Sequence, residues 1–172
     1  PLSDLPDSAQ KDTSRDTLTL ADAPRIDRQG FEATTRRDWA AAADLFRQAM
    51  ELDPTRAEYK DHLAYALIQQ QQFAEAAALL EQATRQDPNY DLSYSHLADA
   101  RLGLGDRVGA MVALQAFLRV SVNAHDRAIA QQKLDALMAP TPAPPPVDTA
   151  QVPVDTVQPD APHDTIQIAP PR

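Results

Sequence analysis

Two histidines in similar surroundings are the first residues to consider for chemistry. His62 follows Asp61, and His96 lies further along the chain with Asp99 close by. Histidine serves both as a metal ligand and as a general base. A zinc site needs three or four ligands at defined spacing, and the sequence has no cysteine and no H-E-x-x-H motif. A metal-binding or enzymatic role for His62 and His96 is therefore the minor alternative to a polar surface that contacts a partner.

The stretch GLGDRVG, residues 103–109, has the glycine content of a phosphate-binding loop. Such a loop cradles phosphate only where a strand delivers it to the N-terminus of a helix. The residues before Gly103 follow a helical pattern, so this stretch is predicted to be a turn between two helices. No G-x-S-x-G motif is present. The sequence thus predicts a protein that is not an enzyme and that uses no metal and no cofactor.

The elements that carry both histidines belong to an internal repeat. Asp-Pro pairs end at Pro54 and Pro88, and the interval between these prolines equals the interval between His62 and His96. Before each proline, small and large side chains alternate at matching positions: Trp39, Ala42, Phe46 and Ala49, then Phe73, Ala76, Leu80 and Ala83. Steps of three and four residues place these side chains on one helical face. Proline then ends the helix, because it donates no backbone hydrogen bond.

A third copy of the pattern is weaker. It keeps three of the four positions and loses the proline: Ala110, Leu114 and Phe117 remain, and Val122 replaces proline. An apolar stripe also precedes two of these helices, at Leu63, Ala64 and Leu67 and again at Leu97, Ala98 and Leu102. Each repeat is therefore predicted to be a hairpin of two helices that must stack on a neighbour to bury its apolar face.

This pattern resembles the tetratricopeptide repeat family in its period, its alternation of small and large residues, and its closing proline. The resemblance implies an all-α fold, an α-solenoid over residues 23–139. Its predicted units are three hairpins and a capping helix, at about 23–56, 57–90, 91–122 and 123–139. Asn123 or Asp126 is expected to cap the last helix. The stripe predicted to bury that helix is Ile129, Lys133, Leu134, Leu137 and Met138.

The resemblance also implies which residues contact a partner. In this family the first helix of each hairpin lines a concave surface that binds a protein or an extended peptide. The residues at those positions are Asp27, Arg28, Phe31, Thr34, Asp61, His62, Tyr65, Ile68, Ser95, His96, Asp99 and Leu102. His62 and His96 are then expected to be neighbours, about 10 Å apart, which is the spacing of packed helices.

Some family members grip the C-terminal carboxylate of chaperones with lysine, arginine and asparagine at these positions. This sequence has aspartate and histidine there, with Arg28 as the only fixed cation. A carboxylate clamp is therefore disfavoured. The resemblance implies a non-catalytic adaptor or scaffold that holds its partner by stacking and side-chain hydrogen bonds. One alternative is that the N-terminal segment covers Phe31 and occupies part of the groove.

Composition separates the repeats from two tails. All nine aromatic residues lie between Phe31 and Phe117, whereas ten of the fifteen prolines lie from Pro140 onward. Residues 1–22 are predicted to be a flexible polar extension, and residues 140–172 a disordered acidic tail. The phrase Asp-Thr-x-Gln occurs three times in the second tail. We interpret that tail as a linker, with a multivalent binding motif as the alternative.

The net charge of −9 and the lack of any basic cluster disfavour nucleic acid as a partner. No apolar run approaches the ~20 residues of a membrane span, so direct insertion into a membrane is not expected. Thirteen arginines against three lysines are typical of GC-rich bacterial genomes. The start at Pro1 suggests processing, and we expect the bacterial cytoplasm or envelope as the location. A repeat segment of a larger envelope or secretion protein is a second hypothesis.

Overall fold

The structure, a computed structural model, describes residues 18–139. The predictions for residues 1–17 and 140–172 lie outside the described residues. A short 3₁₀ helix at Leu20–Asp22 precedes the α-helices of this region: α1 (Ala23–Thr35), α2 (Trp39–Leu52), α3 (Ala57–Gln69), α4 (Phe73–Gln86), α5 (Asp91–Gly103), α6 (Arg107–Val120) and α7 (Ala124–Met138). Helices α1 and α2, α3 and α4, and α5 and α6 pack as three hairpins, and each hairpin packs on the next. The predicted all-α solenoid is confirmed.

The repeated small and large side chains form the core between these helices. Each of the following is at most 3% exposed: Ala42, Phe46, Ala49, Ala76, Leu80, Ala83, Ala110, Leu114 and Phe117. Trp39 and Phe73, at the N-terminal ends of α2 and α4, are half-buried. Helices α2 and α4 end two residues before Pro54 and Pro88, as the pattern predicts.

The size of one core residue is matched to the size of its neighbour across each hairpin. A Cβ atom added to Gly30 would clash with the ring of Phe46, so only glycine fits beneath that ring. One and two periods later, the same two positions hold alanine and leucine in the buried cores: Ala64 with Leu80, and Ala98 with Leu114. Leucine is smaller than phenylalanine and leaves room for a methyl group.

The turns within the three hairpins share one position with a left-handed backbone. Arg37, Gln71 and Gly105 have φ angles of 58°, 61° and 75°, and they follow one another at the interval of the repeat. A left-handed backbone is unfavourable for residues with a Cβ atom and costs glycine almost nothing. Only the third hairpin therefore forms this turn without strain.

Replacing Gln71 with glycine should stabilise the protein, because it relieves this strain at an exposed position. We expect the free energy of unfolding to rise by about 1 kcal/mol, measured by urea denaturation. The opposite kind of change at the equivalent position of the third hairpin, Gly105→Ala, should lower the free energy of unfolding by a similar amount. A Cβ atom there meets no neighbour and adds only backbone strain. A Gln71→Gly variant that is less stable than the parent would contradict the assigned turn.

The C-terminal helix α7 packs on α6 with a narrower face than predicted. Asn123 caps it, accepting a hydrogen bond from the backbone N–H of His125 at 3.0 Å. The predicted stripe is wrong at both edges, because Ile129 and Met138 are 44% and 60% exposed. The residues that α7 buries most fully are Ala130 and Leu134. A helix that covers the end of a stack has a neighbour on one side only, so a narrow stripe of apolar residues is sufficient to pack it against α6.

Candidate functional site

The first helices of the hairpins carry a groove of about 410 Å³. The side chains that line it are Phe31, Thr34, Asp61, His62, Tyr65, Leu92 and His96. The structure thus brings together six residues named from the sequence and adds Leu92, which the sequence analysis missed. Phe31 and Leu92 are 42% and 44% exposed, which leaves two large apolar side chains open to solvent.

Each histidine in the groove is bonded to an aspartate of the preceding hairpin. His62 Nδ1 lies 2.7 Å from Asp27 Oδ1, and His96 Nδ1 lies 3.0 Å from Asp61 Oδ1. Each pair thus joins the first helices of successive hairpins. These hydrogen bonds fix the direction of both imidazole rings, and they connect neighbouring repeats along the groove.

A third cross-link continues this series to α7. Lys133 Nζ donates a hydrogen bond of 2.8 Å to Asp99 Oδ1, so α5 is connected to α7 as α1 is to α3 and α3 is to α5. The spacing along α7 predicts Lys133 in the buried stripe of that helix, and this prediction is wrong. Its long side chain reaches across to the carboxylate while its stem lies along the surface.

Aromatic rings pack against both imidazole rings. The ring centroid of Phe31 is 4.6 Å from that of His62, and the buried ring of Phe46 is 5.5 Å from the same imidazole. Tyr65 lies 5.2 Å from His96. Rings at these distances pack favourably and restrict side-chain rotation. The groove is therefore largely preformed.

The carboxylate of Asp61 lies at the floor of the groove. Asp61 is 1% exposed, and its Oδ2 atom has no hydrogen-bond partner among the described residues. The pKa of the nearby Tyr90 phenol is raised, first by burial and then by the negative charges of Asp61, Glu58, Asp27 and Asp91.

A second, smaller depression of about 230 Å³ adjoins the groove and shares Leu92 with it. Ser95 lines this depression together with Ile129 and Lys133 of α7. Helix α7 thus lines part of this surface as well as covering the third hairpin. Ile129 was predicted to be a core residue, and its place in the lining of this depression explains why it is exposed.

The remaining predicted site residues line neither depression: Asp27, Arg28, Ile68, Asp99 and Leu102. Arg28 is exposed on α1, Ile68 packs partly against the core of the first two hairpins, and Leu102 is 37% exposed at the end of α5. Residues 18–139 contain no group of three or more histidine, aspartate or glutamate side chains placed to hold a metal ion. Within the same range, none of the helices has both the length and the apolar character to cross a bilayer.

The Asp61–His96 pair makes stability depend on pH. Burial and the positive charge of Lys133 lower the pKa of His96. The hydrogen bond to Asp61 and the negative charges of Asp61 and Asp99 raise it by more, so the pKa is raised overall. Protonated His96 then stabilises the fold. This contribution is complete below the ordinary histidine pKa of about 6.5 and is lost as pH rises through the raised value.

We therefore expect the free energy of unfolding, measured in urea, to fall as the pH rises above about 6.5. A His96→Gln variant should lack this part of the decline, whereas His125→Gln, at an exposed position, should retain it. The same profile in the parent and in His96→Gln would show that Asp61 does not stabilise a protonated His96.

Comparison with known proteins places this geometry among repeat proteins. The chain is 29% identical over 110 residues to the heat-shock protein cognate co-chaperone sgt12 of Aspergillus fumigatus, and the match covers 62% of this chain and 32% of the relative. A small glutamine-rich tetratricopeptide repeat-containing protein of Mycosarcoma maydis is also 29% identical, over 56% of this chain and 27% of the relative. The chain therefore spans about a third or less of the curated relatives it matches.

Solved structures show the same fold. PcrH of Pseudomonas aeruginosa, in complex with the chaperone binding region of PopD, superposes with a TM-score of 0.66 at 22% identity, over 70% of this chain and 94% of that one. The first tetratricopeptide domain of Spaghetti (RPAP3), bound to the HSP90 peptide SRMEEVD, gives 0.65 at 20% identity, again over 70% and 94%. At these identities the likeness shows the fold alone.

The decisive match is to the repeat itself. The sequence profile of the tetratricopeptide repeat matches residues 33–95 and residues 67–134, which together span more than half of the chain. The matched residues carry both histidines of the groove and most of the size-matched core described above. This chain belongs to the tetratricopeptide repeat family.

Proposed function

We propose that this protein is a non-catalytic adaptor that binds an extended segment of a partner protein in the groove lined by Phe31, His62, Tyr65, Leu92 and His96. The observation that carries the proposal is the pairing of two exposed apolar side chains, Phe31 and Leu92, with imidazoles already fixed by Asp27 and Asp61. A preformed site loses little side-chain entropy when a peptide binds. Structures of the same fold hold an HSP90 peptide and a PopD region, which supports a peptide ligand here.

The chemistry of this groove does not favour the C-terminal tail of a chaperone. The peptide SRMEEVD carries two consecutive glutamates and a terminal aspartate. Here it would meet the buried Asp61 and the nearby Asp27, and like charges at short range repel. We therefore expect an internal segment of the partner to bind, and we expect SRMEEVD to bind weakly.

The test begins with selection of random peptides on the immobilised full chain, followed by fluorescence anisotropy with the selected peptides. Phe31→Ala and Leu92→Ala should each weaken binding about tenfold, the usual effect of losing an apolar anchor at the centre of an interface. Val112→Ala is the matched control, because Val112 is 58% exposed on α6 away from the groove. Peptides that bind all three variants as well as the parent would refute the proposed groove.

A further inference from the structure

Three acidic residues lie on the first helices of the hairpins without lining the groove: Asp27, Glu58 and Asp91. Asp27 is bonded to His62, and Glu58 Oε2 lies 3.7 Å from Arg56 Nε. Asp91, in the first turn of α5, forms no ion pair with a described residue. Asp91 bears on the groove because it directly precedes Leu92, which lines the groove.

Asp61 adds an observation of a different kind. Its side chain is almost fully buried and lines the groove, and only one of its two oxygens is bonded, to His96. A buried carboxylate oxygen without a donor is costly, and native proteins rarely leave one unpaired. The unbonded oxygen therefore calls for an N–H donor, and a carboxylate forms its strongest hydrogen bonds with a donor that is positively charged.

Apolar surface lies directly beside this acidic floor. Leu92 separates the groove from the second depression, where Ile129 is 44% exposed. Adjacent helices in such a stack are about 10 Å apart, a distance that an extended chain covers in about three residues. A cationic side chain over Asp61 and an apolar side chain between Leu92 and Ile129 would thus be about three residues apart.

We propose that the groove selects partner segments in which a lysine or arginine lies about three residues from an apolar side chain. The cationic side chain bonds to Asp61 and is attracted by Asp91. The apolar side chain packs against Leu92 and Ile129. This inference rests on the proposed function, since it specifies which peptide the groove binds. The cationic side chain of the partner is then recognised by charge, and its apolar side chain by contacts in the second depression. Specificity then comes from the spacing between the two.

The composition of the selected peptides tests this proposal. On the parent protein we expect enrichment of lysine or arginine at one position and of leucine, isoleucine or valine about three residues away. Changing that lysine to glutamine should weaken binding about tenfold, as expected for a charge-assisted hydrogen bond. The Asp61→Asn and Asp91→Asn variants should each reduce this penalty, with folding verified by circular dichroism.

Asp44→Asn is the matched control, because it removes the same charge from an exposed position on α2. It should keep the lysine preference unchanged. A neutral or acidic consensus, or an equal lysine preference in the Asp61→Asn and Asp91→Asn variants, would overturn this inference while leaving a Phe31-dependent groove intact. Selection that yields no peptide dependent on Phe31 or Leu92 would overturn the proposed function as well.

Discussion

Replacing Ala76 with glutamate is expected to unfold the repeat array. Ala76 is fully buried on α4, in the same core cluster as Leu63, Leu67 and Leu80. A glutamate there must bury its charge or push the helices apart, and we expect a loss of about 4 kcal/mol or more. Urea denaturation followed by circular dichroism measures this loss. Ala83→Glu, at another fully buried position of α4, should behave in the same way.

The matched control is Ala78→Glu, on the same helix. Two residues further along, the side chain points about 200° away from that of Ala76. Ala78 is exposed, so this variant should unfold like the parent. Equal stability of Ala76→Glu and Ala78→Glu would show that α4 does not face its neighbours through Ala76.

Truncating Phe46 to alanine is the second large change. The ring is fully buried, lies over Gly30, and has its centroid 5.2 Å from that of Phe31 and 5.5 Å from that of His62. Its removal leaves a cavity that Gly30 cannot fill, so we expect a loss of about 3–5 kcal/mol. Thermal and urea unfolding of the full chain would measure it. The groove should also lose the support that holds Phe31 and His62.

Phe31→Ala provides the comparison for this prediction. The same ring type is lost and it packs against Phe46, but Phe31 is 42% exposed. The loss of stability should be about 1 kcal/mol, while peptide binding should weaken strongly. If both variants lost stability equally, Phe46 would not be the buried support of the groove.

The fold was predictable because two separate features of the repeat specify it. The closing prolines, Pro54 and Pro88, give the period, and the alternation of small and large residues gives the buried face. The third hairpin keeps its fold without a proline, since Leu114 and Phe117 preserve the core and Ser121 takes up an extended backbone after α6. The stripe of α7 was harder to predict, because a terminal helix has one neighbour and its apolar residues are shared between core and surface.

Six of the seven residues that line the groove were predictable from the sequence, and their connections were not. His62 and His96 were recognised as equivalent positions, yet their partners Asp27 and Asp61 are 35 residues earlier, one residue more than the period. That offset depends on how far successive hairpins rotate against each other, which spacing does not encode. Leu92 was missed because the equivalent residue one period earlier is Glu58, so no repeated pattern marks it.

The central claim is that the first helices of the stacked hairpins, and not their outer helices, receive the partner. The most direct measurement is an amide NMR titration of the full chain with a selected peptide. We predict shift changes concentrated at residues 27–34, 58–65 and 91–99, and extending to α7 around Ile129. Shift changes concentrated instead on the exposed face of α6, around Val108 and Val112, would contradict it.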